Sequence, residues 1–105
     1  MKTATNTDQS ELVILIHGTA AGDIEDSGER WWQLGSQTRQ FLDDRLKGVA
    51  HCDTQPFHWS GENSQQERLN AATRLALIIN DLESKQQKYH LVAHSHGGSV
   101  VWQML

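Results

Sequence analysis

The sequence predicts an α/β domain, a three-layer α/β/α arrangement around a parallel sheet, with elements in the order β-α-β-α-β-α. Three stretches carry that expectation. Leu12-Val-Ile-Leu-Ile16 is an unbroken run of β-branched residues and Leu at strand length. It does not alternate, as expected of a strand buried on both faces in the middle of a parallel sheet. Ser64-Gln-Gln-Glu67 has the form of a capping box and opens a long segment with apolar residues at helical spacing. Tyr89-His-Leu-Val-Ala-His-Ser95-His-Gly-Gly-Ser-Val-Val101 passes from an apolar run, through a Ser flanked by two His and followed by two Gly, into a second apolar run. It reads as strand, sharp turn and helix.

Composition narrows the function classes. With 105 residues the chain is one domain or part of one. A net charge of −4 supplies no basic surface for nucleic acid. The polar opening Met1-Lys-Thr-Ala-Thr-Asn-Thr-Asp-Gln-Ser10 has no apolar core of a signal peptide, and the longest apolar run is too short to span a bilayer. The single Cys52 rules out an intrachain disulfide and fits a reducing compartment, so a cytoplasmic location is expected. Its ordinary role is a small packed thiol. No Cys-x-x-Cys or His-Glu-x-x-His spacing points to a metal, and no cofactor is implied.

Residues 1–10 read as a frayed tail and 11–105 as the domain. After the first strand comes His17-Gly18-Thr19, then a small acidic loop containing Asp23, Glu25 and Asp26, whose charges read as solvated. A first helix is expected over 28–47, with Trp31, Leu34, Thr38, Phe41, Leu42 and Arg45 near helical spacing. Gly35-Ser36 breaks it in two, Ser36 caps the second part, and Gly48 stops it in the left-handed conformation. Residues 54–59 read as a short aromatic strand, placed at a sheet edge because Pro56 cannot donate to a ladder. The second helix carries the stripe Ala71, Ala72, Leu75, Ile78, Ile79 and Leu82 and stops near Ser84. A third strand at 89–94 and a third helix from 97 follow. That helix is apolar nearly all round, so it needs covering on several sides. The third strand reads as buried, yet no later segment pairs its far edge. The expectation is a fragment, a truncated protein, or a chain that completes its sheet by self-association through the open edge.

The chemistry centres on Ala93-His94-Ser95-His96-Gly97, a small-x-Ser-x-Gly pattern between strand and helix. A Ser on such a turn is lifted clear of the sheet. Small residues either side let strand and helix pass closely. Ester cleavage by Ser needs a nucleophile, a His base oriented by a carboxylate, and N–H donors aimed at the developing oxyanion. Ser95 supplies the first. The N–H of His96, at the start of a helix, supplies one donor, and the N–H of Thr19, in the loop after the first strand, is the candidate second. The bland reading of Ser95 is a turn Ser ahead of a helix. Trp31, Trp32 and Trp59 read as helix-to-sheet packing before they read as a substrate-facing wall. Ser60-Gly-Glu-Asn-Ser64 lies at the same sheet end as Ser95, where it lines a mouth or merely starts a helix.

On Leu12-Val-Ile-Leu-Ile-His-Gly-Thr19, Phe57-His-Trp-Ser-Gly-Glu-Asn-Ser64 and His90-Leu-Val-Ala-His-Ser-His-Gly-Gly98, the chain resembles the lipase- and esterase-like members of the α/β-hydrolase family, over the family's N-terminal half only. The resemblance implies Ser95 as nucleophile, Thr19 and His96 as backbone donors, and His17, Gly18 and Gly97 in support. It places the strand at 12–16 between the other two. It implies hydrolysis of a carboxylic ester, acyl or lipid, through an acyl-enzyme, on a small-molecule substrate. Ala93 stands where Gly is commoner. The family's acid and catalytic His follow the elbow, neither is in this chain, and the 105 residues alone are expected to be inactive in turnover. His94 and His96 point away from the Ser oxygen on a tight turn, His17 fits a role in holding the oxyanion loop, and His51, His58 and His90 read as structural or exposed. Amidase, thioesterase and acyltransferase chemistry stay open on these residues, as does a non-catalytic binding or dimerisation module.

Overall fold

The computed structural model describes residues 10–18 and 30–105. The expected tail and acidic loop, and with them Thr19, lie outside those residues. Within them stand three strands and three helices: β1 (Glu11–Ile16), α1 (Gln37–Arg45), β2 (Ala50–Cys52), α2 (Gln65–Ser84), β3 (Tyr89–Ala93) and α3 (His96–Met104). The strands form one parallel sheet in the order β2-β1-β3. β1 pairs Leu12 to Tyr89 through Ile16 to Ala93 on one side, and Glu11 to Ala50 through Val13 to Cys52 on the other.

The unalternating run of β1 does what such a run requires. Ile14 and Ile16 pack with Phe57, Trp59, the Ala71/Ala72/Leu75/Ile79 stripe of α2 and Val100 of α3. Val13 and Leu15, on the opposite face, pack with Trp32, Ala50 and Cys52. Successive side chains of a strand point to opposite faces, so one strand feeds two apolar clusters. Ile78, expected in the α2 stripe, lies off it and is 39% exposed.

Three expectations need correction. The first helix is not 28–47. Residues 30–35 form turns, with Gln33 N–H bonded to Arg30 O and Ser36 N–H to Gln33 O, and the helix starts only after Ser36. Gly35 at φ +80° and Ser36, whose hydroxyl accepts from Arg39 N–H at 3.1 Å, are the break and the cap. The face α1 turns inward carries Arg39, while Phe41 is exposed. The second strand is not 54–59 but Ala50–Cys52, two residues on from Gly48 at φ +87°. Residues 53–60 have no strand pairing. The third strand is not buried: it sits at the sheet's edge with His90, Val92 and Ala93 exposed.

The α2 cap is half a capping box. Ser64 Oγ accepts from Glu67 N–H at 3.3 Å, but Ser64 N–H bonds to Glu62 O and the Glu67 carboxylate takes Asn70 instead.

Candidate active site

β3 runs parallel to β1 for one residue past its end, where His94 N–H bonds to Ile16 O at 3.2 Å. The chain then turns abruptly. Ser95 takes φ 56°, ψ −126°, and the helix begins at once with Gly97 N–H on His94 O and Gly98 N–H on Ser95 O, both 2.9 Å. A non-glycine residue at such angles stores about 1–3 kcal/mol of strain, which the surrounding structure must hold in place. Ser95 is exposed, makes no side-chain cap bond, and among the described residues nothing hydrogen-bonds its hydroxyl. The N–H of His96 occupies the first helical position, where no intrahelical acceptor exists.

Two glycines hold the end of β1 against this turn. A Cβ on Gly97 would overlap the carbonyl oxygen of Ile16 and come within 2.8 Å of that of His17. A Cβ on Gly18 would come within 2.8 Å of His94 O and 3.0 Å of Ser95 Cβ. The obstacles at Gly97 are backbone atoms and cannot swing aside. The absence of a side chain at 18 and 97 is therefore what lets the β1 loop, the turn and the helix start share one corner.

His17 is fully buried and both its ring nitrogens are engaged. Trp59 N–H donates to Nε2 at 3.1 Å, so Nε2 accepts; Nδ1 then carries the proton and donates to Gly18 O at 3.0 Å. Burial lowers the pKa of His17, a shift aided by the neighbouring His58 and Arg30 and opposed by the hydrogen bonds to Gly18 and Trp59. The imidazole stacks on Trp59 at 5.5 Å and lies 4.6 Å from Trp32. With both nitrogens committed, His17 holds structure and has no lone pair for a proton from Ser95.

The other histidines are elsewhere. His51 Nδ1 meets Ser10 Oγ at 2.8 Å and His90 Nε2 meets Glu11 Oε1 at 2.6 Å, both by the start of β1. His96 Nδ1 lies 3.4 Å from Ser99 Oγ. His94 is exposed and meets Trp31 edge-on at 6.3 Å. His58 lies among the aromatic rings, 5.6 Å from His17. Among the described residues none of them is hydrogen-bonded to Ser95. The structure thus gathers Ser95, His96, Gly97, Gly18 and His17 at one corner.

On sequence Trp59 reads as packing or as part of a substrate-facing wall, with no hydrogen-bonding role. Its indole Nε1–H donates to His17 O at 2.9 Å, so one residue grips His17 by ring and backbone together. The signal available was its place in Phe57-His-Trp-Ser-Gly61, an aromatic run of strand composition. Arg39 was missed altogether. Its guanidinium binds Trp32 O at 2.7 Å, Asp53 O, and Asp53 Oδ1 at 3.0 Å, tying α1 to the chain after β2. Burial raises the pKa of Asp53 and outweighs the opposing pull of Arg39. Cys52 is buried, and burial with Asp43 nearby pushes its thiol up to about 11. It is a packed, unreactive thiol.

An open, mostly apolar groove of about 500 Å³ runs from His94 and Ala93 down between α1 and β3, walled by Trp31, Phe41, Leu42 and Val92. A second, of about 510 Å³, lies against β2 and α2 at Leu12, His51 and Leu77, and Ser95 lines neither of the two. No helix among the described residues is long and apolar enough to cross a membrane. Comparison with protein-family models, curated proteins and solved structures finds no match to the chain.

Proposed function

We propose that this chain carries the nucleophile half of a serine hydrolase acting on carboxylic esters, acyl or lipid, within a three-layer α/β-hydrolase-like domain. The observation that supports the reading most directly is Ser95 itself. It is a non-glycine residue at φ 56° between a parallel strand and a helix, exposed, with the N–H of His96 beside it. Residues held at such angles cluster at active sites. In the proposed chemistry Ser95 Oγ attacks the ester carbonyl and forms the acyl-enzyme. The negative charge on the carbonyl oxygen is met by the N–H of His96 and by a second N–H, assigned on resemblance to Thr19. The base and its acid have no counterpart bonded to Ser95 among the described residues, and the proposal assigns none.

A fluorophosphonate probe tests this. Covalent modification located at Ser95 by peptide mapping, and absent in Ser95→Ala, is the expected result. A fully inert wild-type chain sinks the reading. The exposed outer edge of β3 and the exposed Trp102 favour one second reading, a non-catalytic module that binds through that edge. It calls for inertness toward the probe together with concentration-dependent association.

A further inference from the structure

We propose that Trp59 is a positioning residue for the Ser95 corner, acting through His17; this rests on the reading of Ser95 as a nucleophile. Two peptide groups flank Gly18. The first contains the His17 carbonyl. Trp59 Nε1–H donates to that oxygen at 2.9 Å, and because the peptide is planar and trans the orientation of the Gly18 N–H is fixed with it. The second contains the Gly18 carbonyl. It accepts from His17 Nδ1–H at 3.0 Å, which requires the tautomer protonated at Nδ1. That tautomer is imposed from the other side of the ring, where Trp59 backbone N–H donates to Nε2 at 3.1 Å. Trp59 therefore sets one peptide directly and the other through the protonation state of an imidazole.

Gly18 has unusual freedom to misplace these planes, because no side chain restrains its dihedrals. It is also the residue that touches the nucleophile turn, with the position of a Cβ only 3.0 Å from Ser95 Cβ. The candidate second oxyanion donor, the N–H of Thr19, follows Gly18 directly in the sequence and lies outside the described residues. Trp59 is 1% exposed and His17 fully buried, so water does not replace either bond once it is lost. The indole stacks parallel to the imidazole within 10°, which holds the ring in the plane both bonds need. Among the described residues no hydrogen bond or ring contact joins Trp59 to Ser95, so its influence passes through His17 and Gly18.

The test removes one atom's worth of hydrogen bonding. Replacing Trp59 with β-(3-benzothienyl)alanine keeps the bicyclic shape and exchanges the Nε1–H for sulfur; Trp59→Phe is the second variant. Ser95 labelling by a fluorophosphonate is measured as a function of probe concentration, separating the maximal rate from the half-saturating concentration. The expected result is a maximal rate lowered roughly tenfold or more, with half-saturation little changed, since small misplacement of reacting groups acts on the chemical step. The ¹⁵N-detected tautomer of His17 should stay protonated at Nδ1 in the benzothienyl protein, because the backbone N–H of residue 59 is retained. Wild-type labelling with an unchanged maximal rate in that folded protein overturns the positioning role. So does a His17 found protonated at Nε2 in the wild type. Absence of labelling in the wild type overturns the nucleophile reading, and this inference with it.

Discussion

Residues 53–61 and the β3–α3 unit invert the usual relation between regularity and burial. The first has no strand or helix, yet Phe57, Trp59 and Gly61 are buried. It is held by side chains from three other elements: Arg39 of α1 on Asp53, His17 after β1 on Trp59, and Arg74 of α2 on His58 O with its guanidinium over Phe57 at 5.2 Å. The second unit is strand and helix on either side of the Ser95 turn, yet Val92 is 40% and Trp102 76% exposed. Backbone ladders make β3 and α3; side-chain bonds and packing make 53–61. Mutational cost should follow the buried contacts and not the secondary structure.

Trp59→Ala should show the largest effect. Truncating a buried Trp costs about 3–5 kcal/mol, and here the His17 carbonyl also loses its donor. Chemical denaturation should place the loss in that range, and a loss under about 1 kcal/mol would mean that the loop is not anchored as described. Arg39→Met should come next. It leaves the Trp32 and Asp53 carbonyls without their guanidinium donor and the part-buried Asp53 carboxylate without its cation. Breaking a buried pair from one side typically costs about 3–5 kcal/mol, and the partial exposure of Asp53 places this one toward about 3. Replacing both partners, Arg39→Met with Asp53→Leu, should recover part of that loss. A double variant no more stable than the single one would contradict the assignment.

The same contrast explains what the sequence disclosed. β1 was legible because both its faces are buried and the run cannot hide that. The turn at Ser95 and the caps at Ser36 and Ser64 were legible because their chemistry is local: a hydroxyl meeting an N–H three residues on, or a Gly where a Cβ would collide. Residues 54–59 were misread as a strand because their aromatic composition answers a tertiary demand. Phe57 and Trp59 are apolar because they fill the core against Ile14, Ile16 and the α2 stripe, not because they pair in a ladder. β2 went unseen because three residues, Ala50–Cys52, carry too little pattern to register without β1 beside them. The inward turn of Arg39 was invisible for a like reason, since its acceptors Trp32 and Asp53 lie in irregular segments on either side of the helix. At the corner, Gly18 and Gly97 were readable by type, while the grip of Trp59 on His17 spans 42 residues and leaves no local trace.

The pH dependence of the pinned region follows from His17. Its folded pKa is lowered by burial, below the usual value near 6.5 that it regains on unfolding. The unfolded chain therefore binds a proton that the folded chain resists. The stability is fully present above about pH 6.5 and is lost as pH falls below it, at no more than one proton's slope, about 1.4 kcal/mol per pH unit. Denaturation curves between pH 7.5 and 5.5 should show that loss, with a His17→Gln variant flatter over the same interval. The paired Glu11 carboxyl, also lowered, by its bond to His90, acts only nearer its own range in more acid solution. A wild type whose stability is constant from pH 7.5 to 5.5 would mean that the His17 ring accepts a second proton in place, against the two bonds assigned to it.

At the other extreme stands the β3 edge, where the smallest effect is expected. Val92→Lys places a charge on an exposed position of an edge strand, facing the open groove beside α1. Such a residue stays solvated, so the unfolding free energy should change by less than about 0.5 kcal/mol, and an edge bearing Lys resists pairing with another strand. Sedimentation of the variant beside the wild type separates the two contributions. If the variant is instead destabilised by more than about 2 kcal/mol while the wild type sediments as a single chain, Val92 is covered within one molecule. The contrast between the regions would then rest on regularity alone. If the wild type associates and the variant does not, at equal monomer stability, the edge is the surface through which copies meet. Only a monomeric wild type that is indifferent to the charge leaves the edge regular, exposed and energetically quiet beside a buried, irregular loop.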